Sequence, residues 1–328
     1  MSTPLLQAYV HQMRVEANGI ISLELRPTPG STPAFPGFEA GAHIDLHLPN
    51  GLVRSYSLVN PGSHPAGYVI GVLKDRNSRG GSRHVHESLR IGQTLPISAP
   101  RNHFKLAQDT APSVLLAGGI GITPIYAMLQ ALCAQGRPVH LVYCARSRAE
   151  AAWLPEVTAL VAAAVAQGQT ASLTLHFDDE QAGPPELKHL LAQQSAQAHF
   201  YACGPGPMLD AFEQTCASLG YANVHLERFA AKPTPVSTPQ GGYVVELRQS
   251  GRTVAVPAGA NLLDTLLDAG LNPAFSCHEG LCGACETKVL EGEVEHRDLI
   301  LTPQEQAANN TMMICVSGCR SQRLVLDL

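Results

Sequence analysis

Apolar and polar positions alternate in short runs over the first hundred residues, then the period changes. Residues 20–25, 43–48 and 68–72 are β-type stretches separated by turns rich in glycine and proline. Strands at that spacing predict an antiparallel β-barrel or sandwich over residues 1–105. From residue 106 the chain reads strand-then-helix. Apolar runs at 113–116, 138–144, 172–177 and 199–203 each precede a segment of helical spacing, at 124–135, 150–167, 186–195 and 207–219. That order predicts an α/β domain over 106–230, a parallel sheet covered on both faces. Residues 231–241 collect proline and small polar side chains, the texture of a semi-stiff linker. Residues 242–328 resume with a hairpin, 243–249 and 252–256, and a helix at 261–269. The expectation is a multidomain protein with a barrel, an α/β domain and a small C-terminal domain.

Composition narrows the class. A hydrophobic share of 45% with 15% charged residues over 328 positions belongs to a globular chain. No apolar run is long enough to span a membrane, and the N-terminus lacks the basic-then-apolar order of a signal peptide. A cytoplasmic location is expected, where thiols stay reduced and nine cysteines point to metal or redox chemistry rather than disulfides. The net charge of −5 is uneven: residues 241–328 hold 11 acidic and 6 basic side chains, residues 1–240 hold 16 of each. An acidic segment repels phosphate, which excludes nucleic acid as its partner, and it permits a basic protein partner.

Three cysteines, Cys277, Cys282 and Cys285, fall within nine positions, and Cys315 follows 30 positions after the third. This C-x4-C-x2-C…C spacing is that of a plant-type [2Fe–2S] cluster. Two bridged irons need four thiolates converging from two sides, three from a tight loop and one from a distant segment. Zinc prefers two C-x2-C-like pairs, and only one exists here. Cys319 competes with Cys315 for the fourth place. Cys315 sits in an apolar run that suits a strand, and Cys319 follows Gly318 as in a turn, so the expected metal ligands are Cys277, Cys282, Cys285 and Cys315. Cys133, Cys144 and Cys216 read as small core residues.

Two further constellations carry chemistry. Arg54, Ser55, Tyr56 and Ser57 end a β-type run, offering in turn a guanidinium fork for phosphate, a flat ring and hydroxyls. Downstream come Gly71, Val72 and Lys74, then Gly80, Gly81 and Ser82, whose amides and hydroxyl suit an anion nest. The alternative is a strand followed by a plain glycine turn. His84 and His86 alternate as on a solvated strand, and with Phe104 they are the nearby flat side chains available to an adenine. In the second domain, Gly118, Gly119, Gly121, Thr123 and Pro124 lie on a strand-to-helix turn. There a pyrophosphate can approach the positive end of a helix, and Pro124 fits its first turn. Cys203, Gly204 and Pro205 end another strand; a buried strand-end cysteine is the competing reading. Residues 146 and 148 are arginines that suit a 2′-phosphate, whereas residues 178–180 are carboxylates that favour NADH.

These motifs carry a resemblance. The cysteine loop, "CETKVLEGEVEHRD" and the terminal "LVLDL" resemble the ferredoxin module of the phthalate dioxygenase reductase/vanillate demethylase reductase family. "RSYS" paired with "GGS", together with "APRNHF", "AGGIGITP", "CGPGPM" and "ERF", is similar to the flavin and nucleotide domains of the ferredoxin–NAD(P)+ reductase superfamily, over essentially the whole chain. One departure is that "SGCR" follows the fourth cysteine where the family has "SR". The resemblance implies a β-grasp plant-type ferredoxin domain, FMN rather than FAD, NADH, the Cys203 thiol beside the nicotinamide and Phe229 over the flavin ring; a core plug is the other reading of Phe229. It also implies a Rieske-type oxygenase as partner. The expected function is a relay, a hydride taken from NADH onto flavin in a pocket shaped by Ser57 and Cys203, and single electrons passed through the cluster. The alternatives are a general NAD(P)H-dependent flavin reductase or an iron–sulfur sensing module.

Overall fold

Six antiparallel strands realise the alternation of the first hundred residues: β1 (Leu6–Ala17), β2 (Ile20–Pro27), β3 (His43–His47), β4 (Val53–Ser57), β5 (Tyr68–Leu73) and, after helix α1 (Gly81–Glu87), β6 (Thr94–Ile97). Their order is β4-β3-β6-β1-β2-β5. A bridge from Leu58 to Ile70 joins the two edges, so the sheet curls into a barrel. Val10, Leu23, Leu25, Ile44, Leu46, Ile70 and Ile97 fill its interior. The computed structural model describes residues 5–30, 34–62, 66–76, 78–181, 183–230 and 242–328, so the expected linker lies outside the described residues. One expectation fails locally. Residues 80–86 are not a turn and strand: Gly80, with φ 95, starts α1, and His84 and His86 lie on that helix. His86 Nε2 is bonded to the Val72 carbonyl at 2.9 Å rather than solvated.

The α/β part runs β7 (Ser113–Gly118), α2 (Ile122–Ala134), β8 (Val139–Ala145), α3 (Leu154–Ala166), β9 (Ala171–Phe177), α4 (Leu187–Leu191), β10 (His199–Cys203), α5 (Gly206–Ser218) and β11 (Val224–Glu227). All pairs are parallel, in the order β11-β10-β7-β8-β9. Buried on both faces, the strands read as near-continuous apolar runs. Leu115, Leu141, Tyr143 and Tyr201 pack under α2 and α3; Val114, Leu116, Val142 and Phe200 pack under α4 and α5. The helix expected from residue 150 begins only at Leu154, because Pro155 is suited to a first turn; before it Arg148–Glu150 forms one 3-10 turn and Trp153 takes φ 52. Cys133, Cys144 and Cys216 are buried in these two cores.

The described chain divides into two compact units between Arg228 and Phe229. Barrel and α/β sheet belong to the same unit, since Ile20, Val59 and Phe104 join the core under α2. Gly71 of β5 sits where a Cβ would come within 2.6 Å of the Trp153 ring and 2.7 Å of Thr123 Cγ2, so the barrel meets the start of α2 at a residue without a side chain. Gly121 plays the same part within the sheet, since a Cβ there would lie 2.2 Å from the Cys203 carbonyl oxygen. Gly121→Ala is therefore expected to lose about 1–3 kcal/mol, the usual cost of overpacking, read as a lowered urea midpoint with an unchanged slope.

The second unit contains β12 (Tyr243–Leu247), β13 (Arg252–Val256), α6 (Leu262–Asp268), β14 (Glu286–Glu291), β15 (Val294–Glu295), α7 (Pro303–Ala308), β16 (Thr311–Met313), β17 (Gly318–Cys319) and β18 (Arg323–Leu326). Its mixed sheet, β13-β12-β18-β14-β16, has β12 and β18 parallel at its centre. Leu262, Leu263 and Leu266 of α6 pack on Val245, Leu247, Val254 and Leu324. Asn261 caps that helix, its Oδ1 accepting the Asp264 N–H at 3.1 Å. Among the described residues no helix is long and apolar enough to cross a membrane.

Candidate active site

Strand order locates a crevice in the first unit. The chain leaves β7 toward β8 and β9 on one side, then returns to place β10 and β11 on the other. Ligands of such sheets bind at the carboxyl ends of the strands flanking that reversal, here β7 and β10. The turn after β7 carries Gly118, Gly119, Gly121, Thr123 and Pro124; the turn after β10 carries Cys203, Gly204 and Pro205. Several of these residues also serve packing. Cβ atoms at Gly118 and Gly204 would come 2.6 and 2.4 Å from the Met208 methyl, whereas Gly119, with φ 53, has open space where a Cβ would be. The Thr123 hydroxyl donates to the Ile120 carbonyl at 3.0 Å and fastens the turn.

On the barrel, β4 presents Arg54, Ser55, Tyr56 and Ser57. Arg54 lies against the first turn of α1, where a Cβ on Gly81 would be 2.7 Å from its Nε. Strand and glycine turn, 26 residues apart in sequence, are thus brought together. Burial pushes the Tyr56 hydroxyl up to about 12, with Arg54 opposing, so it stays protonated. Ser55 is committed elsewhere, donating to Asp45 at 2.7 Å. Val72 is a core residue, and Lys74 pairs with Glu87 at 2.9 Å. The loop holds a residue that sequence reasoning missed. The Ser78 hydroxyl accepts from Gly80 N–H at 3.2 Å and Arg83 N–H at 3.3 Å, and bonds Ser82 Oγ at 3.0 Å. Of the flat side chains weighed for an adenine, Phe104 is buried edge-to-face against Tyr201.

A third element reaches the end of β4. Ser57 Oγ donates to Glu227 Oε2 at 3.3 Å across 170 residues of sequence. Glu227 in turn lies directly across from Cys203 in the pairing of β11 with β10. Burial pushes the Glu227 carboxyl up to about 8, the Ser57 hydrogen bond opposing. Burial, then the Glu227 charge, raises the Cys203 thiol well above its ordinary value. At neutral pH the three groups are therefore uncharged. Only the ERF triplet signalled Glu227 in sequence. Phe229 is 42% exposed and begins the second unit.

In the second unit the thiols of Cys277, Cys282, Cys285 and Cys315 lie near enough to shift one another's titration, Cys277 with Cys282 and Cys315, and Cys315 with Cys285. One backbone amide aims at a sulfur directly, Glu279 N–H donating to Cys277 Sγ at 3.3 Å, and the amides of Leu281 and Gly280 favour the thiolate forms of Cys277 and Cys315. Gly280 has φ +66, and a Cβ there would meet Val316 Cγ2 at 2.6 Å, so only glycine lets the loop close. Neighbouring thiols drawn from one tight loop and one distant turn, with an amide donor, suit the needs of a [2Fe–2S] cluster. The local forecast for the last two cysteines is reversed: β16 ends at Met313, leaving Cys315 in a turn, while Cys319 ends strand β17. The Cys319 thiol donates to the Ser321 carbonyl at 2.7 Å.

Residues 115–214 match an oxidoreductase NAD-binding domain and residues 245–320 a 2Fe-2S iron-sulfur cluster binding domain. With this fold they define an electron-transfer oxidoreductase, and the fold implies a flavin. The chain is 45% identical over 322 residues to the phenoxybenzoate dioxygenase subunit beta of Ectopseudomonas oleovorans, covering 97% of this chain and 96% of that one. It is 41% identical over 330 residues to the vanillate O-demethylase oxidoreductase of Pseudomonas sp. (strain HR199 / DSM 7063), covering 99% and 100%. The solved structure of phthalate dioxygenase reductase, described as modular for electron transfer from pyridine nucleotides to [2Fe-2S], superposes with a TM-score of 0.69 at 32% identity over 99% of this chain and 98% of that one. The chain belongs to the phthalate dioxygenase reductase/vanillate O-demethylase reductase family.

Proposed function

We propose that this protein is the reductase component of a two-component Rieske-type oxygenase, taking hydride from NADH onto FMN and passing single electrons through a [2Fe–2S] cluster to the oxygenase. The observation that carries this reading is the meeting of Ser57, Glu227 and Cys203 where the barrel closes on the carboxyl ends of β10 and β11. The bound flavin would supply conversion of an electron pair into single electrons. The chain's own task is to shape its surroundings. Gly119, Gly121 and the start of α2 receive the pyrophosphate, with Gly204 and Pro205 bounding the crevice. Cys203 and Glu227, both neutral at pH 7, place no fixed negative charge where hydride must arrive. Glu227 holds the Ser57 hydroxyl in one orientation and keeps a proton at hand there.

Arg54 beside the turn of Gly80, Gly81 and Ser82 supports a terminal phosphate at that place, hence FMN, and the burial of Phe104 removes one platform an adenine would need. Arg54→Gln is expected to weaken flavin retention about 10–100-fold, since a hydrogen bond to a charged group contributes about 1.5–3 kcal/mol. Fluorescence of flavin released on dilution measures it, and chromatography of the acid-extracted flavin distinguishes FMN from FAD. For the second unit, Cys277, Cys282, Cys285 and Cys315 are the proposed ligands, with exposed Asp264, Asp268 and Glu286 available to a basic docking face on the oxygenase. The reading is tested by NADH-driven reduction of a Rieske-type oxygenase component. If residues 1–230 alone sustain it at the full rate, a general flavin reductase is the better description.

A further inference from the structure

Two arginines follow β8, Arg146 and Arg148, and three carboxylates follow β9, Asp178, Asp179 and Glu180. The two loops are laced together: Asp178 N–H donates to the Ala145 carbonyl and Asp179 N–H to the Arg146 carbonyl, each at 3.1 Å. Arg148 is held fast. Its Nε donates to Glu180 Oε1 at 2.6 Å and its Nη2 to Glu180 Oε2 at 3.0 Å. Its guanidinium carbon stands 4.5 Å from the centroid of the Phe177 ring. The planar fork and the flat face, the two features by which a guanidinium recognises a ligand, are both used within the chain.

The place matters. In a sheet of this topology the pyrophosphate lies over the turn after the first strand. The adenine ribose reaches the end of its neighbour, where an acid selects the 2′-hydroxyl of NAD and an arginine accommodates the 2′-phosphate of NADP. Here those strands are β7 and β8. Around the end of β8, Arg146 and Arg148 are set against Glu150, Asp178, Asp179 and Glu180, two positive charges against four negative. An incoming phosphate monoester, itself carrying about −1.5 to −2 at pH 7, meets a net negative rim and an arginine already taken. An exposed ion pair adds little to the stability of the fold, so severing this one redirects the guanidinium rather than unfolding the domain.

We propose that Glu180 determines coenzyme specificity by positioning: it holds Arg148 in a bidentate pair on the Phe177 ring and denies an adenosine 2′-phosphate its cation, reserving the site for NADH. The inference rests on the nucleotide reading given above. The test compares 5′-AMP with 2′,5′-ADP, which differ only by the 2′-phosphate, by calorimetric titration of the holoprotein, of Glu180→Gln and of Glu180→Gln combined with Arg148→Gln. Wild type is expected to favour 5′-AMP. Glu180→Gln should tighten 2′,5′-ADP about tenfold relative to 5′-AMP, the effect of one freed charge-assisted contact, and adding Arg148→Gln should erase that gain. In turnover the ratio of KM values for NADPH and NADH should fall in the single variant while the ratio of kcat values stays put. An unchanged nucleotide ratio in Glu180→Gln, or a gain that survives removal of Arg148, overturns the proposal and leaves the NADH reading standing. Wild type that prefers 2′,5′-ADP, or binds neither nucleotide, overturns that reading and the proposal together.

Discussion

Replacing Cys315 by serine should strip iron from the C-terminal unit, whereas Cys319→Ser should leave it in place. The contacts separate the two residues sharply. Cys315 lies near enough to the thiols of Cys277 and Cys285 and to the Gly280 amide for each to shift its titration; Cys319 spends its thiol on Ser321 and its backbone on Val294. Losing outer-shell partners already costs a metal site 10–100-fold in affinity, so loss of a ligand itself should exceed about 100-fold. The measurement is iron per chain with the visible spectrum. In Cys315→Ser, reduction of cytochrome c by NADH should collapse while reduction of ferricyanide continues. A Cys319→Ser protein that loses iron as fully as Cys315→Ser would contradict the ligand assignment.

The second large effect concerns pH. Glu227 titrates near 8 in the folded protein, against an ordinary 4.5, because burial disfavours its charged form. The unfolded chain therefore gives up this proton first. Stability falls as pH rises from about 4.5 to about 8, and this group changes nothing outside that window. Glu227→Gln removes the penalty and keeps a neutral group beside Ser57. The variant should match wild type at pH 4 and exceed it at pH 8.5 by on the order of 3 kcal/mol. That figure is reduced from the full difference because Glu227 as a whole keeps partial exposure. Parallel stability curves for the two proteins between pH 4.5 and 8 would show that the carboxyl is not held neutral. The same variant keeps an acceptor for the Ser57 hydroxyl and lacks only the acidic proton, so slower hydride uptake in it would assign a role to that proton rather than to the hydrogen bond.

Legibility in the sequence followed the range of the interaction. The turn from β7 into α2 announces itself because glycines and a proline are local punctuation, and the parallel sheet because short continuous apolar runs and helical runs alternate. The cysteine loop is legible because ligand spacing along the chain is a constraint on the site itself. Contacts between distant segments left weaker traces. Ser57 and Glu227 meet across 170 residues, and no periodicity links a barrel strand to β11. The alternation of His84 and His86 fits a strand as well as a helix, and the helix is decided by Val85 packing into the barrel. The apolar neighbours of Cys315 suit a strand, yet they are buried because the turn itself folds into the core of the second unit.

The serial relay is most directly tested by anaerobic titration of the holoprotein with NADH, following flavin absorbance and the electron paramagnetic resonance of the cluster together. Uptake of about three electrons per chain is predicted, two held on flavin and one on the cluster, with Cys282→Ser taking only two. A cluster that stays oxidised while NADH fully bleaches the flavin would contradict the account.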